Sequence, residues 1–184
     1  MPTSANLATP ATIWTIGHST RALDEFVGLL AGSHIESIVD VRSFPGSRKY
    51  PQYGREALAA TLAAHAIGYH WLPALGGRRR ALPDSPNTAW RNASFRGYAD
   101  YMAGTQFAQG LVQLLEWARK SRTAMMCAEA LWWRCHRSMI ADALCVRGIE
   151  VEHILDAEHR VTHPMTSPAR IVRGELSYAA APRE

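Results

Sequence analysis

Lysine is almost missing from this chain: of 20 Lys+Arg residues, only Lys49 and Lys120 are lysines. Cysteine is scarce as well, with three residues, Cys127, Cys135 and Cys145. A small odd number excludes a disulfide framework and fits a reducing, cytoplasmic setting. No run approaches the roughly 20 apolar residues of a membrane span, so no membrane contact is expected. The first twelve residues lack the basic start and apolar stretch of a secretory signal. The chain has neither a Gly-x-x-x-x-Gly-Lys loop nor a dinucleotide fingerprint. That argues against P-loop chemistry and hydride transfer, and no cofactor is expected. Internal repeats are missing too.

What remains is an ordinary globular composition. The 184 residues are 47% hydrophobic and 20% charged, enough for one domain with a real core. The cations are nearly all arginine, which forms bidentate forks to phosphate and carboxylate. The bland alternative for that excess is a GC-rich genome, which favours Arg codons, so the positions matter more than the total.

Apolar runs at 11–17, 37–41, 69–75, 123–127 and 151–155 read as strands. Helical spacing marks 23–31, 55–66, 95–118 (with a break near Gly104) and 135–146. Gly32 and Gly148 are plausible helix stops. Strand and helix alternate, which predicts a three-layer α/β fold: a mainly parallel central sheet with helices on both faces. Residues 169–178 read as two short strands around Arg173-Gly174, a C-terminal hairpin. Residues 78–93 are polar and irregular, a loop or lid. The expected organisation is a tail over 1–11, one domain over 12–178 and a tail over 179–184.

Ligands of open α/β sheets bind outside the carboxyl ends of the strands. Polar runs end three predicted strands: His18-Ser19-Thr20-Arg21, Asp40-Val41-Arg42-Ser43 and Cys127-Ala128-Glu129. A parallel sheet brings them to one edge, with Cys135-His136-Arg137 opening the next helix. The first run offers amides, two hydroxyls and an arginine, an anion cradle; alternatively Thr20 merely caps the helix after it. Asp40 and Arg42 share a strand face, as a buried ion pair or with Arg42 awaiting an anion. Phe44 to Tyr50, carrying Arg48 and Lys49, would then be a substrate loop.

Cys135 sits at a helix start beside His136, Arg134 and Arg137, each of which lowers a thiol pKa. Cys127 falls at a strand end. The spacing of Cys127, Cys135 and His136 matches no standard zinc pattern, so no metal is expected. Glu129 stands next to Leu131-Trp132-Trp133. Burial there would raise its pKa and suit a general acid or base; the alternative is an arginine partner. Cys145, Phe95, Tyr98 and Tyr101 suit a core. Trp132 and Trp133 stay open between core and base stacking.

Taken together, Gly17 to Arg21, Asp40 to Ser47, Leu75-Gly76-Gly77, Phe95 to Met102, Cys127-Ala128-Glu129, Cys135-His136-Arg137 and His153-Ile154 resemble the bacterial and archaeal domain-of-unknown-function family 488. The resemblance runs in order through nearly the whole chain. It implies a small α/β cytoplasmic protein with a polar site at the sheet edge, and it supplies no substrate.

The expectation is an enzyme or binding protein for a phosphorylated or nucleotide-like small anion. Glu129, Cys135 and His136 are its candidate catalytic groups. His18, Ser19, Thr20, Arg21, Asp40, Arg42, Ser43, Cys127 and Arg137 are its candidate binding groups. Two alternatives stand beside it. The sequence pI of 9.2 and the Arg78-Arg79-Arg80 run suit a nucleic-acid-binding module. Cys127 and Cys135 suit a thiol redox sensor.

Overall fold

The computed structural model describes residues 12–46 and 48–181. The expected tail over 1–11 and Ser47 lie outside them, as do residues 182–184.

Six strands form the main sheet: β1 (Thr12–Gly17), β2 (Ser37–Asp40), β3 (Gly68–Trp71), β4 (Thr123–Cys127), β5 (Glu150–Ile154) and β6 (Arg160–Thr162). Their order is β3-β2-β4-β1-β5-β6. All pairings are parallel except the last, where β6 runs antiparallel to β5. A separate antiparallel hairpin, β7 (Arg170–Val172) and β8 (Glu175–Ser177), turns at Arg173-Gly174.

Five helices cover both faces: α1 (Leu23–Gly32), α2 (Arg55–Ala64), α3 (Ala93–Met102), α4 (Thr105–Ala118) and α5 (Arg137–Cys145). Alternation along β1 divides the core. Trp14 and Ile16 pack with Phe26 and Leu30 of α1 and Leu58 and Leu62 of α2. Ile13 packs on the other face with Leu111 of α4 and Ile140 of α5. Each such side chain contributes roughly 1.5–3 kcal/mol on burial.

Helix α1 therefore leaves β1 over one face, while α5 leaves the neighbouring β4 over the other. The crossovers diverge between β1 and β4, the switch point where open α/β sheets hold ligands. Register aligns the ends of these strands: Gly17 pairs with Cys127, and Asp40 of β2 pairs with Met126. Beyond the strands, the His18 amide donates to the Cys127 carbonyl (3.0 Å) and the Val41 amide to that of Met126 (2.9 Å). A methyl group at Gly17 would collide with the Glu129 carbonyl oxygen, so β1 and the loop after β4 approach this closely only through glycine.

Several local expectations shift. The third strand stops at Trp71, because Pro73 has no N–H to extend the ladder and Pro73–Leu75 coil into a 3₁₀ turn. Helix α5 begins at Arg137, not Cys135; Trp132–Arg134 form a 3₁₀ turn before it. Helix α1 ends through a left-handed His34 (φ 53°) beyond Gly32. Strand β6 was not anticipated. No helix among the described residues is long and apolar enough to cross a membrane.

Candidate functional site

A cleft of about 560 Å³ opens at the carboxyl edge of the sheet, with Cys127 and Cys135 on its floor. Strand β4 ends at Cys127, and the loop returns Cys135 to it just before α5. Their sulfurs lie 2.7 Å apart, and both are free thiols. The Arg137 amide, at the start of α5, points at the Cys135 sulfur (3.5 Å). His136 Nδ1 lies 3.5 Å from the same sulfur, while its Nε2–H donates to the Val41 carbonyl (3.1 Å). That bond leaves the Nδ1 lone pair facing the thiol, able to take its proton.

Burial alone pushes the Cys135 thiol up. The hydrogen bond from Cys127 and the charges of His136 and Arg137 outweigh it and hold the thiol well below its ordinary value. Burial and the bond to Cys135 push the Cys127 thiol well above. The two sulfurs are thus pushed in opposite directions, Cys135 towards the ionised form and Cys127 towards the protonated one. Such pairs can attack an electrophilic centre or close to a disulfide.

Arg137 lies under the pair, 1% exposed. Its Nη1 donates to the Thr15 hydroxyl oxygen (3.1 Å) and its Nη2 to the Glu129 carbonyl. Its Nε has no hydrogen-bond partner, and no carboxylate pairs with it among the described residues. The groups beside it are the two cysteine sulfurs.

Asp40 and Arg42 form the ion pair that the sequence left open. Arg42 Nε and Nη2 donate to the two Asp40 oxygens at 2.9 and 2.6 Å, and Nη2 also donates to the Tyr53 carbonyl (2.8 Å). Tyr69 donates its hydroxyl to Asp40 at 2.6 Å. Arg42 Nη1 reaches the lone pair of His18 Nε2 at 3.3 Å, and His18 Nδ1–H donates to the Ser19 carbonyl at 2.9 Å. His18 stacks on Tyr53 with ring centroids 4.1 Å apart. Burial, aided by the Arg42 charge, lowers its pKa to about 4.

The cleft walls come from two loops. The Gly76-Gly77 turn passes over His136, and a methyl on Gly77 would come within 2.9 Å of Nδ1. Ser43 donates to the Gly77 carbonyl (2.8 Å). Beyond, the irregular stretch of 78–93 is pinned to α3. Against a desolvation cost, Asp100 accepts from Ser85, the Leu82 amide and Asn87, bonds that hold its carboxyl below the usual range. The Ala89 amide donates to the Tyr178 carbonyl (3.0 Å), and Trp90 stacks on Phe95. Arg79 is committed to the Tyr101 ring and the Gly76 carbonyl. Arg78 and Arg134 line the cleft exposed, with no ion pair among the described residues.

Of the sequence candidates, Arg42, Ser43, Cys127, Glu129, Cys135 and His136 line one cleft. His18, Asp40 and Arg137 sit behind them as supports. Ser19, Thr20 and Arg21 do not line it. Arg21 is held by Glu25 and the Leu155 carbonyl. Ala22, not Thr20, is the N-cap of α1, and no side chain caps it. Glu129 is exposed, so the burial expected to tune it does not occur, and it pairs with none of the expected arginines. The tryptophans turn elsewhere: Trp132 stacks on His153, and Trp133 is exposed. Sequence reading missed Thr15, Tyr53, Asp142 and His163. Among the described residues no His/Cys/Asp/Glu cluster could hold a metal ion.

The family described as "Domain of unknown function DUF488" matches residues 22–144. No curated protein and no solved structure matches the chain.

Proposed function

The chain belongs to the DUF488 family, and we propose that its cleft presents a small anionic substrate to Cys135, whose thiolate attacks it as a nucleophile. The observation carrying this reading is the 2.7 Å contact of Cys135 with Cys127 on the cleft floor, with His136 and Arg137 beside it. A thiolate is the nucleophilic form of cysteine, and buried cationic surroundings keep it ionised at neutral pH.

The unpaired Arg78 and Arg134 draw in the anion, a phosphorylated or nucleotide-like group among the candidates. Phe44 and Phe95 offer apolar surface to the rest of the molecule. The Cys135 sulfur forms the new bond, and the leaving group departs with its electron pair. Protonated His136 supplies the leaving group's proton. Glu129 enters as a rim carboxylate facing the substrate, not as a buried acid.

The test is alkylation of Cys135, followed at the peptide level across pH with neutral iodoacetamide and anionic iodoacetate. The expected midpoint lies well below the ordinary thiol value of about 8.5. Iodoacetate should gain on iodoacetamide relative to a free thiol. Arg78→Ala and Arg134→Ala should each cut that gain by about threefold to tenfold. An ordinary midpoint defeats the thiolate; no charge preference defeats the anionic substrate.

The same sulfur contact favours a second reading, a redox sensor. A peroxide would oxidise the Cys135 thiolate to a sulfenic acid, releasing an alcohol or water. The Cys127 thiol would then displace water to close a disulfide. Loss of both free thiols on treatment with one equivalent of peroxide, restored by a dithiol reductant, would support it. Persistence of both would exclude it.

A further inference from the structure

Behind the thiol pair, three buried side chains connect Arg137 to a carboxylate it never touches. Arg137 Nη1 meets Thr15 Oγ1 at 3.1 Å, and Thr15 Oγ1 meets His153 Nδ1 at 2.6 Å. His153 Nε2 meets His163 Nδ1 at 2.9 Å, and His163 Nε2 meets Asp142 Oδ1 at 2.9 Å. Thr15, His153 and Asp142 are each 1% exposed or less, and His163 is buried. Residues from β1, α5, β5 and the segment after β6 thus meet in one line.

Donor and acceptor rules give this line a direction. Arg137 can only donate, so Thr15 accepts from it. Asp142 as a carboxylate can only accept, so His163 Nε2 carries a proton. With both imidazoles neutral, His163 Nδ1 is then an acceptor, His153 Nε2 carries a proton, and His153 Nδ1 accepts from the Thr15 hydroxyl. Every bond points from the guanidinium towards the carboxylate. Burial favours the neutral His153 that this scheme requires. Tyr178 (2.7 Å), the Thr166 amide (2.9 Å) and the Thr166 hydroxyl also donate to Asp142, so the anchor is fully satisfied. Trp132 stacks on His153 at 4.3 Å and seals the line.

A carboxylate in direct contact would saturate the guanidinium, as Asp40 does for Arg42. Here the negative charge stands three links away, and Arg137 keeps its Nε free. We propose that Asp142, His163, His153 and Thr15 are positioning residues, a one-directional hydrogen-bond relay that fixes Arg137 beneath the Cys135 sulfur while leaving its charge to the thiolate. The proposal rests on the thiolate reading given above.

The groups facing the Cys135 sulfur are Cys127 from β4, His136 just before α5, Arg137 at the start of α5, and Tyr98 from α3. None is altered by changing the relay, so the thiol reports on the relay alone. The experiment is the pH profile of Cys135 alkylation by iodoacetamide in the wild type, Thr15→Val, Thr15→Ser and Asp142→Asn. Thr15→Val keeps the shape of the side chain and breaks the line at its first link. Its midpoint should rise by about one unit or more, a tenfold loss of rate below both midpoints. Its limiting rate at high pH should not change. Thr15→Ser restores the hydroxyl and should restore the wild-type midpoint, which a purely structural role would not require. Asp142→Asn should shift in the same direction as Thr15→Val; should it fail to fold, the Thr15 pair carries the test. A low midpoint shared by the wild type and folded Thr15→Val overturns the relay alone. An ordinary wild-type midpoint overturns the thiolate and the relay with it.

Discussion

Two arginines lie buried behind the same sheet edge, and they are held in opposite ways. Arg42, at the end of β2, is gripped by both oxygens of Asp40 and by the Tyr53 carbonyl. Arg137, at the start of α5, has a hydroxyl, backbone carbonyls and the two cysteine sulfurs around it, and no carboxylate among the described residues. A buried charge needs compensation from nearby or the fold loses stability. Arg42 receives it from a fixed partner and so shapes the cleft wall. With Cys135 ionised as proposed, Arg137 receives part of it from that sulfur, and the cysteine gains as much from the arginine as the arginine from the cysteine. A saturated arginine supports structure; an unsaturated one alters the chemistry of its neighbour.

The sharpest way to break the contrast is to remove each guanidinium in turn. Arg42→Ala leaves Asp40 buried without its partner and should cost about 3–5 kcal/mol in denaturant unfolding, with the Cys135 midpoint little changed. A change below about 1 kcal/mol would mean that water or Tyr69 satisfies Asp40 instead.

Acid attacks the Arg42 side next. His18 has a pKa of about 4 in the fold against 6.5 as a free group. Between those values the unfolded chain binds the proton and the folded chain does not, so stability falls as pH drops from 6.5 to 4. The loss can reach about 3 kcal/mol. His153, also pushed down by burial, adds to the slope. Unfolding of His18→Gln across this window should show a shallower dependence; an identical slope would assign it elsewhere.

Arg137→Met should slow Cys135 alkylation at neutral pH by about 100-fold, equivalent to about 2.7 kcal/mol. Rates within threefold of the wild type would show that Cys127 and His136 suffice to hold the thiolate.

The alternating strands and helices were legible because their apolar spacing is regular. That spacing placed β1, α1, β4 and β5 within a residue or two, and it brought Cys127, His18 and Asp40 to one edge. Short elements escaped it: β6 has three residues and no hydrophobic pattern. Glu129 was misjudged because nearness in sequence to Trp132 and Trp133 does not fix where a loop points its rings. Thr15 reads as one more residue of an apolar strand. Asp142 reads as the polar position of a helix, and its partners lie 21 to 36 residues away. Periodicity reports faces, whereas networks of this kind depend on which distant segments the topology brings together.

Tyr178 joins three parts of this molecule. Its hydroxyl donates to Asp142, its carbonyl receives the Ala89 amide, and its ring lies against Trp90. During synthesis Cys135 leaves the ribosome well before Tyr178. Until that tyrosine docks, the relay is incomplete and the cleft loop lacks an anchor. On the relay proposed above, the chain before that docking carries a Cys135 thiol with an ordinary midpoint. The proposed relay and the cleft loop thus share one anchor at Tyr178, and both depend on its docking.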